Sequence, residues 1–173
     1  TSIIVGGCCN IASNLSSFVG GGNCNTASGQ GSFVGGGNCN TASNNYSIVI
    51  NGVCNSASGS YSFIGGGLNN STTSCYTTVI GGFCNSASGR YTFIGGGNSN
   101  IANCEFSAII GGQCNIASGS VSTIGGGNFN CATGGSSTVS GGYLNISSCN
   151  STVVSGGACN TASNYYAVVA GGQ

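Results

Sequence analysis

Charge is almost absent from this chain: among 173 residues, Arg90 is the one basic and Glu105 the one acidic side chain, and there is no histidine, proline, tryptophan or methionine. So little charge leaves no electrostatic footprint for nucleic acid, an anionic surface or a charged substrate. Without histidine, neither a Cys-His nucleophile nor a mixed Cys/His zinc site can be assembled, and the C-x-x-C pairs that supply two ligands from one loop are missing too. Catalytic residues, cofactors, metal ligands and a nucleic-acid partner are therefore not expected. No apolar run approaches the roughly 18 to 20 residues that span a bilayer, and no basic stretch followed by an apolar one opens the chain, so membrane insertion is not expected either. The sequence begins inside a repeat and without Met, which suggests a processed protein or part of a longer one.

What the chain does contain is 35 glycines, 12 cysteines and a strict period. Gly-Gly recurs at 6–7, 21–22, 36–37 and onward to 171–172, broken only by Asn51-Gly52, always 15 residues apart. A disordered Gly/Ser/Asn-rich chain would carry no such array of β-branched residues.

Three columns of the repeat define a core. Ile4, Val19, Val34, Val49, Ile64 and their successors to Val169 are all β-branched aliphatics, as a buried strand position requires, and Ser or Thr stands two residues earlier, facing the same way. The second column is Asn10, Asn25, Asn40, Asn55, Asn70, Asn85, Asn100, Asn115, Asn130, Asn145 and Asn160, expected as an inward ladder in which each amide bonds those above and below. Two residues on comes mostly Ala, small enough to face Val or Ile across a thin core. The third column, Gly7 to Gly172, reads as a corner with positive φ.

The fold expected is all-β: a parallel β-solenoid or β-roll of 15-residue coils, about twelve with partial ends, two short strands per coil, as one repeat domain over residues 1–173. At one strand spacing per coil it is a rod about 55 Å long. A second period lies over the first, because Ile50, Ile80 and Ile110 alternate with Gly35, Gly65, Gly95 and Gly125; a 30-residue rung is the alternative architecture.

Outward positions hold the candidate sites. Phe18, Phe33, Ile48, Phe63 and Phe93, joined by Tyr46, Tyr61, Tyr76, Tyr91 and Phe106, form an apolar stripe larger than monomers normally expose and hence a candidate assembly seam. A wider core that takes in the Phe rings is the competing reading. The other face presents Cys9, Cys24, Cys39 and Cys54 beside Thr26, Thr41, Ser28 and Ser43, a flat array that could order water as ice-binding solenoids do, although Ile101, Ile116 and Ile146 interrupt the hydroxyl column. Stacked Cα atoms about 4.8 Å apart lie within disulfide range, so these four cysteines form a candidate disulfide ladder. Cys84, Cys114 and Cys159 have no cysteine on adjacent coils of their column and are candidate interchain or free thiols. Arg90 and Glu105, one coil apart, suggest an ion pair. Of the Asn-x-Ser/Thr sequons, Asn14, Asn45 and Asn150 fall at the Ser-Asn corner, where a glycan could project.

The pattern Ser-Phe-Val-Gly-Gly-Gly-Asn-Cys-Asn from Ser32 to Asn40, returning in altered form from Ser62 to Asn70, resembles the head repeats of YadA-like trimeric autotransporter adhesins, and similar repeats occur in surface proteins of large DNA viruses. The likeness runs along the whole chain and is best at the Gly, Ala and Val/Ile positions. It implies a left-handed β-roll, a homo-oligomer of three chains side by side, and surface display or attachment to a host surface or glycan, with an extracellular, cell-surface or virion-surface location. The coil here is one residue longer than is common in that family, and its cysteine content is unusual. The function expected is a structural fibre subunit with adhesin-like attachment; the alternative is an ice-binding solenoid.

Overall fold

The computed structural model describes all of residues 1–173 and contains no helix. Its twenty-three strands are two residues each and alternate between two parallel sheets, one of twelve strands and one of eleven. Each coil contributes one strand to each sheet, such as Phe33–Val34 and Thr41–Ala42. The register is offset by 15 residues at each step, as in Phe18↔Phe33, Phe33↔Ile48 and Thr26↔Thr41, so the physical rung is 15 residues and the 30-residue rung is ruled out. Eleven complete coils and a partial twelfth result.

A third parallel contact, not foreseen in the sequence, runs along the column Cys8, Asn23, Asn38, Val53, Leu68, Phe83 and onward to Ala158 as single bridges. It lies between the Gly-Gly corner and the second strand. Its mixed composition hides it, because an outward position with one ladder bond per coil places no demand on its side chain.

The core is two side chains thick. Val19, Val34, Val49, Ile64 and the rest of that column to Val154 from one sheet meet Ala27, Ala42, Ala57 and their successors from the other, and all are buried; the end coils, with Ile4 and Val169, are not. Ala suits this column because the sheets lie close. Thr72 and Ser147 occupy it at two coils; Ser147 Oγ and Thr152 Oγ1 lie 2.7 Å apart, whereas Thr72 Oγ1 has no partner. The inward Ser/Thr column does more than save space: Ser17, Ser32 and Ser62 donate their hydroxyls to the carbonyls of Asn14, Gly29 and Gly59, each at 2.7 Å, closing the corner from inside. Ser122 and Ser137 in the same column lack a partner.

The Asn ladder is buried from Asn25 to Asn145, but its bonding differs from the expected amide stack. Each Oδ1 accepts the backbone N–H of the next ladder Asn, as in Asn25 N–H to Asn10 at 2.9 Å and Asn100 N–H to Asn85 at 3.0 Å. Each Nδ2 donates to two glycine-corner carbonyls, one in its own coil and one in the next: Asn25 to Gly21 at 2.9 Å and to Gly37 at 2.8 Å. Direct amide-to-amide bonds occur only at some steps, such as Asn55 to Asn40 at 3.1 Å. The reason is competition: the carbonyl of the first corner glycine, such as Gly21, would otherwise be unpaired at the edge of a thin core, and a buried acceptor left unsatisfied costs about 1–3 kcal/mol.

The glycine corner has positive φ, as expected: Gly82 is at +95° and Gly112 at +92°. Two further columns are left-handed without being glycine. Cys9, Cys24, Cys39, Cys54, Cys84, Cys114 and Cys159 have φ of 53–59°, and Tyr46, Tyr61, Tyr76, Tyr91 and Phe106 have 54–59°. The gain is a reversal of hydrogen-bond direction. Strand N–H groups donate to the following coil, as Phe33 does to Ser47, whereas Cys24 N–H donates back to Cys8 O at 2.9 Å and Tyr46 N–H back to Gln30 O at 2.8 Å. A left-handed residue costs roughly 1–2 kcal/mol outside glycine. Here it avoids an unpaired amide at each corner.

Candidate assembly surface and thiol rank

The outward side chains form straight columns because the register never slips. The predicted aromatic seam resolves into two adjacent columns. Phe18, Phe33, Phe63 and Phe93 stand on the strand position outside the Val/Ile core, so the wider-core reading is set aside. Phe18 and Phe33 stack with centroids 5.1 Å apart, while Thr78 separates Phe63 from Phe93. Tyr46, Tyr61, Tyr76, Tyr91 and Phe106 occupy the left-handed corner two residues earlier and form one unbroken stack with centroid spacings of 4.9–5.2 Å.

The sequence reading missed the third column of this surface. Ile50, Ile80 and Ile110, 44%, 49% and 56% exposed, extend the apolar face to a third outward position. Their alternation with glycine now has a steric reason. A Cβ at Gly35 would stand 2.3 Å from Ile50 O of the next coil and 3.2 Å from Phe33 Cε1, and Gly125, which follows Thr123 and no ring, meets the same backbone obstruction 2.4 Å from Ser140 O. On the coils with Ile48, Thr78 or Ala108 the isoleucine supplies the missing volume. The 30-residue period evens out one face.

Arg90 lies over the edge of this surface, its guanidinium 4.7 Å from the Tyr91 ring centre and 5.8 Å from that of Tyr76. The ion pair expected with Glu105 gives way to a cation–π contact, which suits an exposed charge beside a ring.

On the second sheet, Cys24, Thr26 and Ser28 are successive outward positions, and their columns bring Thr26, Thr41, Ser56, Ser71 and Ser86 into one line. Ile101, Ile116, Cys131 and Ile146 continue that line as an apolar stretch.

All twelve cysteines are free thiols. The predicted disulfide ladder Cys9, Cys24, Cys39 and Cys54 is therefore an open rank in this structure, all four side chains exposed. Cys8, on the bridge column, brings its Sγ to 3.2 Å from that of Cys9, a neighbour unforeseen in the column reading. The hydrogen bond to Cys9 raises the Cys8 pKa above the ordinary thiol value. Desolvation by neighbouring groups, then the charges of Cys39 and Cys9, raise that of Cys24. Burial alone raises that of Cys131, and Cys159 is exposed.

The three sequon asparagines at the second corner are exposed. Asn14 donates to Ser28 O at 3.0 Å, and Asn150 Oδ1 accepts Gly135 N–H at 3.0 Å, so both amides help tie coils together. Asn45 makes no such side-chain bond. The surface, the cysteine rank included, has no enclosed pocket and no group of three or more metal-ligating side chains around one point. No helix is long and apolar enough to cross a membrane. No family model matches the chain, and no curated protein matches it in sequence.

Proposed function

We propose that this protein is a structural fibre subunit, a rod that associates with further copies of itself along its aromatic face at a cell or virion surface. The observation that carries this reading is the three-column apolar face. About eight coils by three outward positions cover roughly 500 Å² on each copy. Two such faces together reach the ~1,000 Å² at which a specific interface becomes stable. Its near absence of charge removes the repulsion that usually keeps like surfaces apart. The stacked rings also favour a second copy over a sugar, since each ring covers the next and presents only its edge. The likeness to YadA-like head repeats supports side-by-side packing of three chains and adhesin-like attachment.

Mass photometry of the full chain is expected to show a homo-oligomer. Tyr61→Ser, Phe63→Ser and Tyr76→Ser combined should shift it to monomer with the β-sheet circular dichroism retained. A stable wild-type monomer at micromolar concentration sinks this reading.

A second reading rests on the hydroxyl line Thr26, Thr41, Ser56, Ser71 and Ser86 with Ser28, Ser43, Ser58, Thr73 and Ser88 beside it, a flat rank able to order water at coil spacing. Thermal hysteresis should then appear and be abolished by Thr26→Tyr with Thr41→Tyr; no hysteresis in the wild type eliminates it.

A further inference from the structure

The cysteine rank offers a chemistry that neither assembly nor water binding uses. Cys9, Cys24, Cys39 and Cys54 occupy one column on four successive coils, share φ of 54–55° and are all exposed. The strands flanking them pair in strict register, Ile11↔Thr26, Thr26↔Thr41 and Thr41↔Ser56, so consecutive Cα atoms stand one coil apart. That repeat is about 4.7–4.9 Å. A metal–thiolate bond is about 2.3 Å, so two of them in line span about 4.6 Å. The rise of one coil is therefore close to the sulfur-to-sulfur separation of a linear, two-coordinate site.

We propose that this rank binds soft monovalent cations of the copper(I) class, one between each consecutive pair of sulfurs. Thiolate selects such ions, and apart from Cys8, which stands beside Cys9, the straight rank gathers no third sulfur around one point, so it disfavours tetrahedral zinc. Filling the rank breaks four S–H bonds, forms six S–metal bonds and passes four protons to water, with no change in oxidation state; the inner sulfurs each lose one proton and bind two ions. The filled rank carries four thiolates and three cations, the two inner sulfurs each bridging a pair of ions. Binding displaces protons, so affinity falls as pH is lowered.

Cys84, Cys114 and Cys159 provide the internal comparison. Their column neighbours are Asn69, Ser99, Phe129 and Leu144, so each would have to recruit its second sulfur from solution. A preplaced partner acts at a far higher effective concentration than a free monothiol.

The test is silver(I) titration of the reduced full chain in the presence of excess competing monothiol, read by native mass spectrometry. With Cys8→Ser in both chains, to remove the sulfur 3.2 Å from Cys9, the otherwise wild-type protein is expected to retain three more silver ions than the Cys24→Ser/Cys39→Ser variant, whose remaining rank sulfurs at Cys9 and Cys54 are three coils apart. The Cys84→Ser/Cys114→Ser variant should match the wild type. Circular dichroism checks that each variant keeps its fold. Equal retention by the wild type and the rank variant, or loss of all silver to the competitor, overturns the proposal.

Discussion

Gly112→Ala is expected to destabilise the solenoid by more than about 4 kcal/mol, whereas Gly111→Ala, one residue away in the same corner, should leave stability within about 0.5 kcal/mol. A Cβ on Gly112 would stand 2.1 Å from Gly127 O and 2.6 Å from Asn115 Nδ2, with φ at +92°. The obstruction is mainly backbone of the next coil, so no side-chain rotation relieves it. Around Gly111 nothing lies within 4 Å. Chemical denaturation of both variants checks the contrast. Because each coil contacts only its neighbours, the damage should be local, and amide exchange should accelerate first in the coils flanking Gly112. Equal stability of the two variants would mean that the corner can spread without breaking the coil-to-coil bonds.

Asn85→Ala should cost about 2–5 kcal/mol, while Ser86→Ala at the adjoining outward position should be nearly neutral. Removing the Asn85 amide strands Gly81 O and the Asn100 N–H, which it holds at 3.0 Å each. Gly97 O loses a 2.9 Å bond but keeps the N–H of Phe83. Asn85→Asp separates the two roles. It retains an acceptor for Asn100 but faces a carboxylate to two carbonyls, which raises its folded pKa. The protonated form can donate to one of them, so this variant should be more stable below the ordinary carboxylate pKa and lose stability as pH rises through the raised value. Thermal unfolding across that range tests the sign; a variant insensitive to pH would show that the amide nitrogen contributes nothing.

The same column logic explains which parts of the site were legible in the sequence. The Val/Ile, Ala and Asn columns were visible because burial constrains each of them to few residue types. The Phe and Tyr columns were visible as an outward stripe. Their division into a strand column and a left-handed corner column was not, since Tyr, Phe and Val121 at φ of 54–59° break the usual preference for Gly or Asn there. Ile50, Ile80 and Ile110 were noticed as a period but not as surface, because only the backbone of the next coil lying against Gly35 shows why the column alternates.

From the sequence alone came the 15-residue coil, the parallel all-β class, the inward identity of Val/Ile, Asn and Ala, and the absence of histidine and of charge. Those are properties of repetition and composition, and repetition is preserved when identical coils stack in register. The tertiary structure decided where hydrogen bonds go and which neighbours touch. It turned the Asn amides from each other toward the glycine carbonyls, sent the corner N–H groups back to the preceding coil, moved Arg90 from Glu105 onto Tyr91, and left the cysteines as an open rank. Each of these outcomes depends on which groups the stacking of coils brings face to face in space, which a column of letters does not record.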